Sequence, residues 1–195
     1  ITKKTKVLMP VHLYGTPCKD IFKFKSICKK KNIILIEDAA QSIGASINNI
    51  MTGAIGDIGI FSLHPLKNLG VYGDGGIIST NNKRIYEKIL LLKNHGLKNR
   101  DHAVCWGYNA RLSDLNAKFA STKLNFLKDW NKKHRNIAKF YNKNLDDSII
   151  KPKVDKNIES VFHNYIIRVK NRNILKKYLL NLGIETSIHY PIPIH

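Results

Sequence analysis

Between Asn32 and Asn82, a stretch of 51 residues, the chain carries one lysine or arginine, Lys67. The full sequence holds 33 such residues among 195, so even scatter would put about nine in that stretch. Acidic residues persist there as Glu37, Asp38, Asp57 and Asp74. A buried sheet layer accounts for most of the pattern, because buried positions exclude charge of either sign. It does not account for Lys67. A lysine inside such a layer must be paired, neutralised or chemically used.

The surrounding residues define the layer. Val7 to Leu13 is a short apolar run ending at Tyr14-Gly15. Asp20 is placed to cap a helix whose Ile21, Phe24, Ile27 and Cys28 share one face, and Ile33 to Ile36 is again continuously apolar. This is a β-α-β unit. Continuous rather than alternating hydrophobicity predicts strands covered on both faces, hence an α/β fold with a mainly parallel sheet. Asp38 then falls at the carboxyl end of a strand, the edge at which open α/β sheets bind ligands. Strands are expected again at Ile58 to Leu63 and Gly76 to Thr80, with His64 to Gly75 between them. In that loop Pro65 fixes a backbone torsion, and the glycines of Gly73-Asp74-Gly75-Gly76 permit positive φ and close approach. It reads as a site loop, although it is neither GxGxxG nor a Walker sequence.

Beyond it, a helix is expected from Lys83 to Lys93, a loop from Asn94 to Asn109 and a long helix from about Ser113 to Asn144. Asp, Lys and Pro152 replace the apolar rhythm from Leu145 to Asn157, which places a boundary between a first unit, 1–145, and a second, 146–195. The second should contain a strand from Val161 to Val169, a helix from Asn173 to Leu182 and a strand from Ile184 to Tyr190.

Composition narrows the function classes. The formal net charge of +19 is compatible with binding nucleic acid, but the lysines fall mostly on solvent positions of predicted helices, without interleaved aromatics or a recognition motif. No nucleic-acid partner is expected. No run reaches the roughly 20 apolar residues of a membrane span, so no membrane partner is expected either. The basic Ile1 to Lys6 leads into an apolar run too short for a signal peptide. Cys18, Cys28 and Cys105 form no CxxC pair, which predicts neither a disulfide framework nor a metal site and fits a reducing cytoplasm.

Four motifs occur in order: Asp38-Ala39-Ala40-Gln41; Phe61-Ser62-Leu63-His64-Pro65-Leu66-Lys67-Asn68-Leu69-Gly70; Gly73-Asp74-Gly75-Gly76; and Gly107-Tyr108-Asn109. Together they resemble the pyridoxal-phosphate-dependent nucleotide-sugar aminotransferases of the DegT/DnrJ/EryC1/StrS group, over nearly the whole chain. The His-Pro-Leu-Lys-Asn-Leu-Gly form is most similar to the branch that aminates C3 of thymidine-diphosphate-linked 3-keto-6-deoxyhexoses. The resemblance implies the fold of aspartate aminotransferase (fold type I), here as part of a large cofactor-binding domain and part of a small C-terminal α/β domain.

It also implies roles. Lys67 would carry pyridoxal 5'-phosphate covalently and, once released, move the proton. Asp38 would face the pyridine nitrogen, Gln41 the ring hydroxyl and Ser62 the phosphate. Asn109 would reach the phosphate of a partner subunit, making a homodimer with shared active sites. His64, His189 and Tyr190 would meet the hexose, with His64 the first candidate for reading the C4 epimer; His195 ends the same C-terminal motif. Glutamate would be the amino donor. Taken singly, Asp38 is equally placed to cap a helix, His64 to pack within its loop, and Gln41 and Ser62 are ordinary polar residues. Family members run to nearly twice this length and carry an N-terminal glycine-threonine phosphate segment that this sequence does not contain. The expectation is a fragment, and an inactive or regulatory piece is the alternative to an aminotransferase.

Overall fold

The apolar runs become strands because each finds a neighbour with matching register. The computed structural model describes residues 1–193 and 195. In chain order the elements are β1 (Val7–Leu8), α1 (Ile21–Lys31), β2 (Ile34–Asp38), β3 (Ser46–Ile47), β4 (Ile50–Met51), β5 (Ile58–Ser62) and β6 (Gly76–Ser79). There follow α2 (Lys83–Leu92), β7 (Leu97–Asn99), β8 (His102–Ala103), α3 (Asp114–Asn144), β9 (Ile158–Glu159) and α4 (Arg172–Asn181).

The main sheet has the order β1-β2-β5-β6. β1, β2 and β5 are parallel, and β6 returns antiparallel to β5. Register decides which side chains share a face. Asp38 sits opposite Ile60, so Ser62, two residues further along β5, falls on the same face as Asp38. Glu37 and its partner Gly59 fall on the other.

That second face is the closed one. Leu35 joins Ile21 and Cys28 of α1, with Ile33, Ile47 and Ile55, in one buried cluster. A second cluster joins Leu63, Leu69 and Val71 of the β5–β6 loop to Ala120 and Leu127 of α3, so the site loop is packed onto the long helix. The segment after α3 returns to the first unit: β9 pairs with β3, and Arg135 of α3 bridges Glu159 at 2.8 Å.

Five expectations need correction. The segment Asn94 to Asn109 is not simply a loop, because β7 and β8 pair antiparallel within it. The sheet is not covered on both faces by the described residues: Ile34 is 42% exposed and Ile78 50%, because α1 lies against one face only. Asp20 occupies the N-cap position of α1 but makes no side-chain cap bond. Val161 to Val169 is not a strand; only Arg168 finds a bridge partner, Ile150, and extended backbone without a ladder neighbour has nothing to pair its amides. Ile184 to Tyr190 forms no strand among the described residues for the same reason. No helix among the described residues is long and apolar enough to cross a membrane.

Candidate active site

The strand ends present two carboxylates in opposite states. Asp38 is fixed through its backbone, its N–H donating to the Pro10 carbonyl and its own carbonyl accepting from His12 N–H, both at 3.0 Å. Its Oδ1 accepts only the Ala40 N–H, at 3.1 Å. Oδ2 has no partner among the described residues, so the carboxylate can receive a further donor.

Glu37, which the sequence reading did not single out, is completely buried and saturated. Oε1 accepts from the N–H groups of Ile55 (2.7 Å) and Gly56 (2.6 Å), and Oε2 from Gly53 N–H (2.9 Å). The fourth donor is His12. Its Nδ1 accepts from Cys18 N–H at 2.9 Å, so Nε2 carries the hydrogen that it gives to Glu37 at 2.9 Å. Burial pushes the Glu37 carboxyl upward, but the His12 bond and the backbone donors outweigh it and hold the group below the usual carboxylate range. A glutamate inside the run Ile34-Leu35-Ile36-Glu37 is a signal the sequence does offer, since a buried carboxylate requires partners.

The loop after β5 is tied at both ends. Leu63 N–H donates to Gly75 O at 2.8 Å and Val71 N–H to Leu63 O at 2.9 Å. Gly70 lies so close to the Pro65 carbonyl that any Cβ would collide with it. Its own carbonyl accepts from Lys123 Nζ of α3 at 2.6 Å. Within the loop Lys67 N–H donates to His64 O at 2.8 Å, which closes a turn. Lys67 lies beyond the end of β5 and is partly exposed rather than enclosed in the sheet layer. Its Nζ has no ion pair or hydrogen bond among the described residues.

Asn68, the next residue, is the anchor. Asn131 Nδ2 donates to the Ile43 carbonyl (3.1 Å), which leaves Asn131 Oδ1 to accept from Asn68 Nδ2 (2.8 Å). Asn68 Nδ2 also lies 3.3 Å from Val161 O and from His134 Nδ1, so Asn68 Oδ1 must accept, and its partner is His163 Nδ1 at 3.2 Å. The amide orientations thus follow from one carbonyl outward. Burial lowers the His163 pKa to about 4, helped by the positive charge of Lys67 and by His134 and His189. His163 is a neutral imidazole near the lysine. Sequence reading missed it because Asn68 is 95 positions away.

The remaining candidates divide. Gln41, His189 and Tyr190 come together around Tyr14, which donates its hydroxyl to His189 O at 2.9 Å and its N–H to Gln41 Oε1 at 2.6 Å. Ser62 Oγ accepts from His64 N–H at 3.2 Å. His64 is exposed, and its Nδ1 accepts from Leu66 N–H at 3.2 Å, a contact within its own turn. Asn109 is not brought to the other candidates: it pairs with Asn94 and accepts from Arg111 Nε at 3.3 Å, on an exposed arm with Trp106 and Tyr108. His195 is exposed, and Ile194 of the same motif lies outside the described residues.

The set fits pyridoxal phosphate. An amine and a carboxylate oxygen without partners among the described residues, with a hydroxyl on the same sheet face as the carboxylate, are the donors and acceptors that an aldehyde, a pyridine nitrogen and a phosphate require.

The relatives agree. The chain is 41% identical to the dTDP-3-amino-3,6-dideoxy-alpha-D-galactopyranose transaminase of Aneurinibacillus thermoaerophilus, covering 100% of this chain and 54% of that protein. It is 38% identical to the UDP-N-acetyl-3-dehydro-alpha-D-glucosamine 3-aminotransferase of Acidithiobacillus ferrooxidans, covering 100% and 53%. Its structure superposes on S. venezuelae DesV in complex with a ketimine intermediate with a TM-score of 0.96 at 33% identity, covering 100% of this chain and 53% of that one. The chain therefore spans about half the length of the curated relatives it matches. The family model for DegT/DnrJ/EryC1/StrS aminotransferases, pyridoxal-phosphate enzymes of the aspartate aminotransferase fold, matches residues 1–195, and the chain belongs to that family.

Proposed function

We propose that the intact protein transfers the amino group of glutamate to a nucleotide-linked keto sugar, yielding an amino sugar and 2-oxoglutarate, and that the acceptor is a thymidine-diphosphate-linked 3-keto-6-deoxyhexose. The observation that carries this reading is that, among the described residues, Lys67 Nζ has no partner and Asp38 Oδ2 accepts no hydrogen bond. Pyridoxal phosphate supplies, when bound, a ring that accepts the charge left as a carbon loses its proton. Asp38 would keep the ring nitrogen protonated, and Gln41 would offer an N–H to the ring hydroxyl. Ser62 holds the phosphate, with Asn109 of a second copy completing that site in a homodimer. Lys67, once freed, would serve as the base and acid that moves a proton between the donor carbon or the sugar carbon and C4′ of the cofactor. His189 and Tyr190 face the hexose, and His64 reads its C4 hydroxyl. In this reading residues 1–145 belong to the large domain and 146–195 to the small one, in a cytoplasmic enzyme.

The similarity to a dTDP-sugar transaminase and the loop form Pro65 to Gly76 favour the dTDP sugar over the UDP sugar. Borohydride reduction of the cofactor-loaded intact protein should fix pyridoxyl label on the Lys67 peptide alone; label spread over surface lysines would sink the assignment. Amination of the dTDP-linked 3-keto sugar should exceed that of its 4-keto isomer at least tenfold, a margin of ~1.4 kcal/mol in transition-state binding. The reverse preference discards the substrate while leaving Lys67 and Asp38 in place.

A further inference from the structure

Tyr14 is one of the residues with a side chain that hold a left-handed backbone conformation, and its contacts explain why. It adopts φ 60° and ψ 15°, the left-handed region, inside the single helical turn Leu13–Gly15. For a residue with a Cβ that conformation is disfavoured and persists only where the surroundings over-determine it. They do so here. The turn follows directly on the bridge between Val11 and Asp38, so it stands at the same sheet edge as the candidate acid. Tyr14 O accepts from Asn164 N–H at 3.4 Å and Gly15 O from Val161 N–H at 2.9 Å. A Cβ on Gly15, itself at φ +90°, would lie 2.7 Å from His163 N, so the backbone is wedged against the 161–163 segment.

The same turn also contacts two candidate elements at once. Tyr14 N–H engages Gln41 Oε1, so Gln41 has only its Nε2 hydrogens to present, and one approaches Tyr190 Oη at 3.5 Å. The Tyr14 ring stacks on Tyr190 with centroids 6.4 Å apart and planes 24° apart, and stands edge-on to His189 at the same separation. Its hydroxyl donates to the His189 carbonyl. Burial, with Tyr190 beside it, raises the phenol pKa, so the hydroxyl keeps the hydrogen that this bond requires.

We propose that Tyr14 is a positioning residue that couples the two walls of the site: its backbone N–H sets the Gln41 amide so that N–H faces outward, and its hydroxyl and ring seat the His189–Tyr190 segment. The first contact belongs to the main chain and survives substitution; the second does not. Tyr14→Phe therefore separates them. The inference rests on the aminotransferase reading only for what His189 and Tyr190 touch, and the test keeps the two apart.

In the intact protein, hydrogen exchange of the peptide spanning 187–191 should be at least threefold faster in Tyr14→Phe and faster again in Tyr14→Leu. The absorbance titration with pyridoxal phosphate should match wild type. Calorimetric binding of dTDP-3-amino-3,6-dideoxygalactose should weaken five- to tenfold in Tyr14→Phe, with binding of dTDP itself unchanged. Wild-type exchange at 187–191 in both variants overturns the proposal. So does equal weakening of cofactor, dTDP and amino sugar, which marks a general loss of structure. If the wild-type protein does not bind the amino sugar, the substrate reading fails, and the exchange comparison still decides the role of Tyr14.

Discussion

The two faces of the main sheet carry adjacent carboxylates with opposite fates. On the closed face Glu37 is buried against the 53–56 turn and satisfied by four donors. On the open face Asp38 accepts one backbone N–H, and its second oxygen has no partner among the described residues. A one-residue step along β2 flips the side chain to the other face, and with it the balance between stability and chemistry. The saturated acid organises the fold; the unsaturated one is left available for a ligand.

Substitution at both positions is the strongest way to break this contrast. Asp38→Asn should lower turnover of the intact enzyme about 10²–10³-fold, the scale for removing one preorganised electrostatic contact. Its denaturation midpoint should barely move, because the amide oxygen can still accept the Ala40 N–H. Glu37→Gln should do the reverse. The amide puts an NH₂ group against donors, and unsatisfied buried groups should cost about 3 kcal/mol in chemical denaturation. If Asp38→Asn proves the more destabilising of the two, the division between the faces is wrong.

A pH titration of stability sharpens the contrast. His163 titrates at about 4 in the fold against 6.5 unfolded. The unfolded chain therefore binds the extra proton first, and stability should fall as pH drops from 6.5 to 4, by about 2 kcal/mol once solvent screening of this half-buried ring is discounted. Glu37 acts lower. Its depressed pKa contributes stability above the unfolded carboxyl value, which is lost as pH falls through the folded value. His163→Asn, which keeps an N–H for Asn68, should flatten the first window and leave the second. Unchanged slope between pH 6.5 and 4 would show that His163 is not held neutral.

The smallest effect concerns the loop itself. Lys123→Met keeps the aliphatic stem but removes the bond to Gly70 O and the ammonium lying 5.7 Å from the Tyr72 ring centroid. About 1 kcal/mol of stability should be lost, with faster hydrogen exchange confined to residues 64–76. A global change would mean that the loop is not separately anchored.

What the sequence disclosed follows the range of the interactions. Asp38 and Lys67 stood out as candidates because a strand end and a charge-poor window are local patterns, and α1, α2 and α3 followed their apolar period, whereas the one cap expected, Asp20, makes no side-chain bond and the caps that do form, Asn82 and Ser113, were not anticipated. His163 and Tyr14 were not, since each acquires its role from partners far along the chain. Both C-terminal strands were expected from apolar content alone. Apolar content cannot supply a ladder partner, and the described residues offer Arg168 one bridge and Ile184 to Tyr190 none.

The arm bearing Asn109 also carries an optical label. Of the two tryptophans in the sequence, Trp106 is 98% exposed, whereas Trp130 is partly buried on α3 and stacked on Phe126 at 5.9 Å. One indole reports the aqueous arm and the other a fixed helix. Docking of the arm onto a second copy would shift Trp106 emission to the blue while Trp130 stayed constant. Diluting an intact protein in which any tryptophan other than Trp106 and Trp130 is replaced by phenylalanine, and watching that band, would test whether the arm docks on a second copy without an added dye.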